Sequence, residues 1–280
     1  MIQADPDEPR PGIHRETPTD EALGGKVLIG VVVLVALVGA AWWWSSREAP
    51  VPVVDEPAVA PAVVAQEPVP VRHPVDAPAA EELAEPLPLL DDSTLRASEE
   101  IVALVGVSAF GELFLAQEVV RRFVAAVDNL PRRELPVAQR PLRGAAGVFL
   151  AAGEEGALVV DEANYARYEP YARLATLLDA RAAVAAYQRL YPLAQQAYEE
   201  LGYPGRYFND RLIEAIDDLL AAPEIEGPIP LKRPNVVYEF ADASLEARSA
   251  GQKILIRMGP SNARAVKAKL IEIRALLAKG

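Results

Sequence analysis

The sequence predicts a mainly α-helical protein: a single N-terminal transmembrane helix, a Pro-rich linker, and a helical bundle-like C-terminal domain carrying one small β-hairpin. Three observations predict it. Val27 to Trp44 is a run of eighteen residues without a charge. Ten of the 25 prolines fall between Pro50 and Pro88. Beyond Leu89, apolar residues recur at steps of three and four, the period of a helix with one buried face. The chain therefore divides into a cytoplasmic tail (1–26), a membrane span (27–44), a disordered linker (45–88) and a helical domain (89–280). The last part is long enough to bury a sizeable core.

As a helix, eighteen residues cover roughly 27 Å, close to the roughly 30 Å hydrocarbon layer of a bilayer. A cleaved signal peptide is the competing reading. Its apolar region runs about 7–15 residues and ends in small residues, whereas this run ends in Trp42-Trp43-Trp44. Arg10, Arg15 and Lys26 precede the run, and only Arg47 follows it closely. That bias puts the N-terminus in the cytoplasm. In a bacterium, the expected location is the inner membrane, crossed once, with the C-terminal domain in the periplasm.

From Pro50 to Pro88, proline alternates with valine, alanine and acids, a pattern that resists helix and sheet and favours extended polyproline II. The net charge of −12 belongs mostly to this flexible part: residues 1–88 hold five Lys/Arg and fourteen Asp/Glu. Like charges there repel and extend the chain.

Within the domain, Asp91-Asp92-Ser93 offers caps to a first helix. A second is expected from about Ser108 to Asp128, with Phe110, Leu113, Phe114, Val120, Phe123, Val124 and Val127 on one face. Pro131 ends it. VFLAAGEEGALVVD (Val148–Asp161) reads as two short strands turning at Gly153–Gly156. Helix resumes at Glu162. A long helix over residues 183–201 carries Pro192, which should kink or restart it. Asn209 or Asp210 should cap the next helix, which turns Leu212, Ile213, Ile216, Leu219 and Leu220 inward. An extended piece, Asn235–Phe240, precedes two final helices separated at Met258-Gly259-Pro260.

Several chemistries are excluded. There is no cysteine, so no disulfide, thiolate nucleophile or Cys-ligated zinc. The only histidines, His14 and His73, lie outside residues 89–280, which removes Ser-His-Asp arrangements from the domain. Neither GxGxxG nor GxxxxGK[ST] occurs. Ser249 and Lys253, one helical turn apart, read as a solvated pair, and Gly251 between them as a close-packing position. Glu199, Glu200, Asp210, Glu214, Asp217 and Asp218 could supply two acids for glycoside hydrolysis, although acids on helix surfaces are ordinarily solvated. No metal or cofactor is expected.

Charge is polarised along the domain. Tyr191–Pro228 holds eight acids against Arg206 and Arg211; Arg248–Lys279 holds eight basic residues against Glu272. The plain reading is that the two stretches are solvated or meet inside the domain. The loop Gly202–Arg211 feeds a helix N-terminus and is dense in aromatic and hydrogen-bonding groups. Tyr203, Arg206, Tyr207, Asn209, Asp210 and Arg211 are its candidate partner-binding rim.

RRFVAAVDNLPR (121–132), YQRLYPLAQQAYEELGYP (187–204), FNDRLIEAIDDLL (208–220), VVYEFAD (236–242) and SAGQKILIRMGPSNARAVKAKL (249–270) together resemble a bacterial family, the domain of unknown function 3014. The resemblance covers essentially residues 90–278. It implies single-anchor envelope proteins with a Pro-rich linker and no assigned activity. The expected function is a membrane-anchored periplasmic adaptor that binds an envelope protein or cell-wall polymer without catalysis. The alternative is a carboxylate-dependent hydrolase acting on cell-wall polymer. A nucleic-acid partner would require the opposite topology, and none is expected.

Overall fold

Among the described residues, apolar residues three and four apart become ten α-helices, numbered here in chain order. They are α1 (Thr94–Val105), α2 (Val107–Leu113), α3 (Val119–Asn129), α4 (Ala163–Ala166), α5 (Glu169–Leu177), α6 (Ala180–Glu200), α7 (Phe208–Leu220), α8 (Ala243–Glu246), α9 (Ala250–Arg257) and α10 (Pro260–Leu277). The computed structural model describes residues 70–76, 85–154, 156–234 and 237–278. All of them belong to one unit, residues 65–280. The expected membrane span at Val27–Trp44 lies outside the described residues. Among those described, no helix is long and apolar enough to cross a membrane.

The main core forms where α3 and α6 face each other and α7 closes over them. Val120, Val124 and Val127 of α3 meet Leu193, Ala197 and Tyr198 of α6, with Phe208 of α7 fully buried among them. A second cluster joins α6, α7 and α10 through Val184, Ile213, Ile216 and Leu277. A third, around Leu255, Met258 and Ala263, seats α9 and the start of α10.

The expected hairpin is present: β1 (Ala151–Ala152) pairs antiparallel with β2 (Val159–Val160). A second pair, β3 (Leu231–Lys232) with β4 (Glu239–Phe240), was not foreseen. Val159 bridges to Pro230, so the two pairs share a small core of Val160, Ile229, Leu231, Phe240 and Ile256. The Asn164 side chain, wholly buried, accepts from Leu150 N–H and donates to Leu150 C=O at 2.9 and 2.6 Å, which pins the strand side of this region to α4.

Three expectations need correction. The single helix expected over 108–128 is two helices. Its middle pairs instead with the loop that follows α3: Leu115 N–H donates to Pro141 C=O, and Arg143 N–H donates to Leu113 C=O. Glu118 turns the corner at φ 49°, a left-handed value uncommon outside glycine. The first of the two final helices is likewise divided, because Asp242 caps α8 and Ser249 caps α9 through their own side chains. Pro192 does not interrupt α6, which runs unbroken from Ala180 to Glu200. Its ring removes one backbone N–H from the helix ladder.

The charged stretches meet each other at the domain surface. On α10, Arg274 grips Asp217 of α7, Lys267 approaches Glu224 at 3.6 Å, and Arg264 reaches Glu226 at 3.0 Å. The Arg274 guanidinium holds the Asp217 carboxyl below the usual carboxylate range. Gly251 lets α9 press against its neighbours. A Cβ there would stand 2.6 Å from a Leu219 methyl and 3.2 Å from Leu130 C=O.

Candidate functional site

The head of α7 is held from below and from the side. Phe208, its first residue, packs edge-on or tilted against Phe123, Tyr187 and Tyr198. Asn209 and Asp210 are therefore inside the first turn rather than caps, a correction to the expected cap position. The residue in the cap position, Tyr207, contributes no side-chain hydrogen bond. Gln195 of α6 takes over: its carbonyl oxygen accepts from Phe208 N–H at 2.8 Å, and its amide donates to Arg206 C=O at 2.7 Å. A helix otherwise leaves its first N–H groups without partners.

Two polar side chains are thereby fixed at a buried helix head. Asn209 has no exposed surface, and Asp210 is 8% exposed. Asn209 Oδ1 accepts from the Tyr187 phenol at 3.0 Å. Burial pushes the Tyr187 hydroxyl far above its ordinary range and the Tyr191 hydroxyl up to about 12, so both phenols keep their protons. With its oxygen engaged, the Asn209 amide presents Nδ2 outward.

What these two residues hold is main chain. Asp210 Oδ1 accepts from His73 N–H at 2.8 Å, and Oδ2 accepts from Arg72 N–H at 3.2 Å. Asn209 Nδ2 donates to His73 C=O at 3.1 Å. Adjacent side chains thus satisfy three backbone groups of two consecutive residues in a segment 137 residues earlier. Pro74 disfavours a helical conformation at His73 and carries no N–H that would need a partner. The segment Pro70–Asp76 was expected as linker, and His73 as lying outside the folded part. Both contribute to this contact. The Arg72 side chain remains largely in solvent, 66% exposed, with Nε 3.9 Å from Asp210.

The six candidate rim residues separate into three groups. Asn209 and Asp210 face the segment. Tyr203 and Arg211 turn toward Asp128 of α3, a carboxylate only 4% exposed. Arg211 Nε donates to its Oδ1 at 3.0 Å, Arg132 Nη2 donates to Oδ2 at 2.7 Å, and the Tyr203 hydroxyl sits 3.3 Å from Oδ2. Tyr203 also stacks on Tyr198, ring centres 4.6 Å apart. Arg206 and Tyr207 form the loop edge, Arg206 exposed and Tyr207 half-buried. A third of the expected rim, Tyr203 and Arg211, is thus a structural tie to α3. Tyr187, Gln195 and Arg72–His73 were missed; the four-residue spacing of Tyr187, Tyr191 and Gln195 toward one side of α6 is the signal that could have found the first two.

The six acids considered for hydrolysis each have a partner. Glu199 accepts from Gln195, Glu200 from Arg121, Glu214 pairs with Arg211, and Asp217 with Arg274. Asp218 accepts from Ser249 and Gln252, at 2.6 and 2.9 Å, and Lys253 pairs with Glu246 instead of Ser249. Arg121 holds the Glu200 carboxyl below its ordinary range. A surface hollow of about 200 Å³ lies between α3 and α6, beside Arg121, Arg122 and Glu200. Among the described residues no group of three His, Asp or Glu is placed to hold a metal ion.

A model of the family described as "protein of unknown function (DUF3014)" matches residues 119–274, from the start of α3 into α10. Neither a curated protein nor a solved structure matches the chain.

Proposed function

The chain belongs to the DUF3014 family, proteins of unknown function, and from that premise we propose that it is a non-catalytic adaptor of the bacterial envelope. In this reading Val27–Trp44 crosses the inner membrane once, and the linker presents the helical domain to a protein partner in the periplasm. One observation carries the binding role: buried Asn209 and Asp210 hold the main chain of a distant segment where it bends at Arg72 and His73. Gripping backbone amides and carbonyls is a recurrent way for domains to bind peptides. The apolar Val27–Trp44 run and the Lys/Arg bias around it support the location.

Two measurements test the reading. Protease added to spheroplasts should shave off the domain; protection until lysis would overturn the topology. A photocrosslinking residue at Arg206, beside the helix head, should trap a defined envelope protein, and one at Ile271, on the exposed side of α10, should not. Equal capture at both positions, or none at Arg206, would overturn the binding role.

A further inference from the structure

We propose that Asn209 and Asp210 form a recognition site for the main chain of a bent peptide segment, that Arg72–His73 occupies it in cis as a removable strap, and that a partner's basic X-Pro segment displaces the strap. The inference rests on the adaptor reading and adds its regulation.

The site is built rather than incidental. Asn209 is completely buried and Asp210 nearly so, and buried polar groups require partners. The Tyr187 phenol holds the Asn209 amide in the one orientation that donates outward. Asp210 stands at the third position of α7, where the helix dipole favours a carboxylate, and both its oxygens point at amides of another segment. Without a peptide, all three outward-facing groups would lose their protein partners.

The occupant, in contrast, is lightly held. Val71 is 40% exposed, and only His73 and Val75 of the segment are half-buried. Three main-chain bonds carry most of the contact. A strap tethered to its own site nevertheless competes at an effective concentration on the order of millimolar. A free peptide must match that, so the strap sets a threshold for partner binding. The chemistry of a competitor follows from what is gripped: two consecutive N–H groups, then a carbonyl whose residue precedes proline. A cation at the first of these positions suits Asp210, as Arg72 does at 3.9 Å. The site lies within residues 119–274 that match the family, and the strap lies outside them.

The test uses the full chain in detergent micelles and a fluorescent peptide, Pro-Val-Arg-His-Pro-Val-Asp, followed by polarisation. The double variant Arg72→Pro/His73→Pro removes both amide donors of the strap and alters no helix. The peptide should bind this variant at least tenfold more tightly than the unaltered chain. The same peptide N-methylated at its Arg and His amides should lose that binding, and the Arg→Glu peptide should bind several-fold more weakly. Equal affinity for variant and unaltered chain, or full binding by the N-methylated peptide, would overturn the proposal. Failure here with selective capture at Arg206 leaves the adaptor standing with its partner seated elsewhere. Peptide binding without such capture removes the adaptor and keeps the strap.

Discussion

The Tyr187 phenol donates to Oδ1 of Asn209 at 3.0 Å, and through that bond a residue on α6 decides which way an amide on α7 faces. Tyr187→Phe keeps the ring packing on Phe208 but leaves a fully buried amide oxygen without a partner. The expected cost is about 1–3 kcal/mol in denaturant unfolding. Amides of residues 72 and 73 should also exchange hydrogen faster by mass spectrometry. Unchanged exchange would show that the phenol does not orient Asn209.

Asp128 is the second pivot. Its carboxylate is 4% exposed and faces Arg211, Arg132 and Tyr203. Asp128→Ala leaves the Arg211 guanidinium, its side chain 14% exposed, short of its buried partner. A loss of about 1–3 kcal/mol is expected, because Arg211 keeps Glu214 but loses its buried hydrogen-bond partner. Urea titration reads it directly. A loss under about 1 kcal/mol would mean water reaches the site freely.

Gly251→Ala tests the packing of α9. The added methyl would meet a Leu219 methyl at 2.6 Å, which can shift, and Leu130 C=O at 3.2 Å, which cannot readily do so. The Gly251 N–H donates to that same carbonyl at 2.9 Å, so α9 cannot simply back away. Destabilisation of about 1–3 kcal/mol is expected by thermal or denaturant unfolding; a stabilised variant would contradict the contact.

Acid should loosen the domain by a defined route. The Arg189 guanidinium, which hydrogen-bonds Glu100, holds that carboxyl below its ordinary 4.5, and Arg274 holds Asp217 below 3.8. A carboxyl with a lowered folded-state pKa contributes its stability fully above the unfolded value and loses it as pH falls through the folded one. Stability should thus be flat near neutrality and fall below about pH 4.5. Glu100→Gln should make that acid limb shallower, and an identical limb in the variant would place the effect elsewhere.

Much of the fold was legible because local pattern and tertiary packing agree. Val120, Val124 and Val127 announce a buried helix face and form one. VFLAAGEEGALVVD announces a hairpin and makes it. Patterning fails where a distant partner decides. The apolar period runs straight through Phe114, yet the backbone there bonds to the 140–143 loop, and nothing near Glu118 signals the turn. The β3–β4 pair has no glycine between Leu231 and Phe240, so it lacks the turn signal that Gly153 and Gly156 give the first hairpin. Asn209 and Asp210 stood out as polar residues at a helix start, but a carboxylate in a first turn ordinarily serves its own helix. Its actual partners, 137 and 138 residues away, leave no local trace.

The strap also fixes a working radius. In the tethered reading, a chain leaving the bilayer at Trp44 has 27 residues before Arg72, but 44 before Leu89. At about 3.1 Å per extended residue, those contour lengths are ~80 and ~140 Å. In that reading, closing the clamp would shorten the leash, and release would let the domain reach farther from the membrane. Partner capture and spatial range would then switch together, governed by three hydrogen bonds at one helix head.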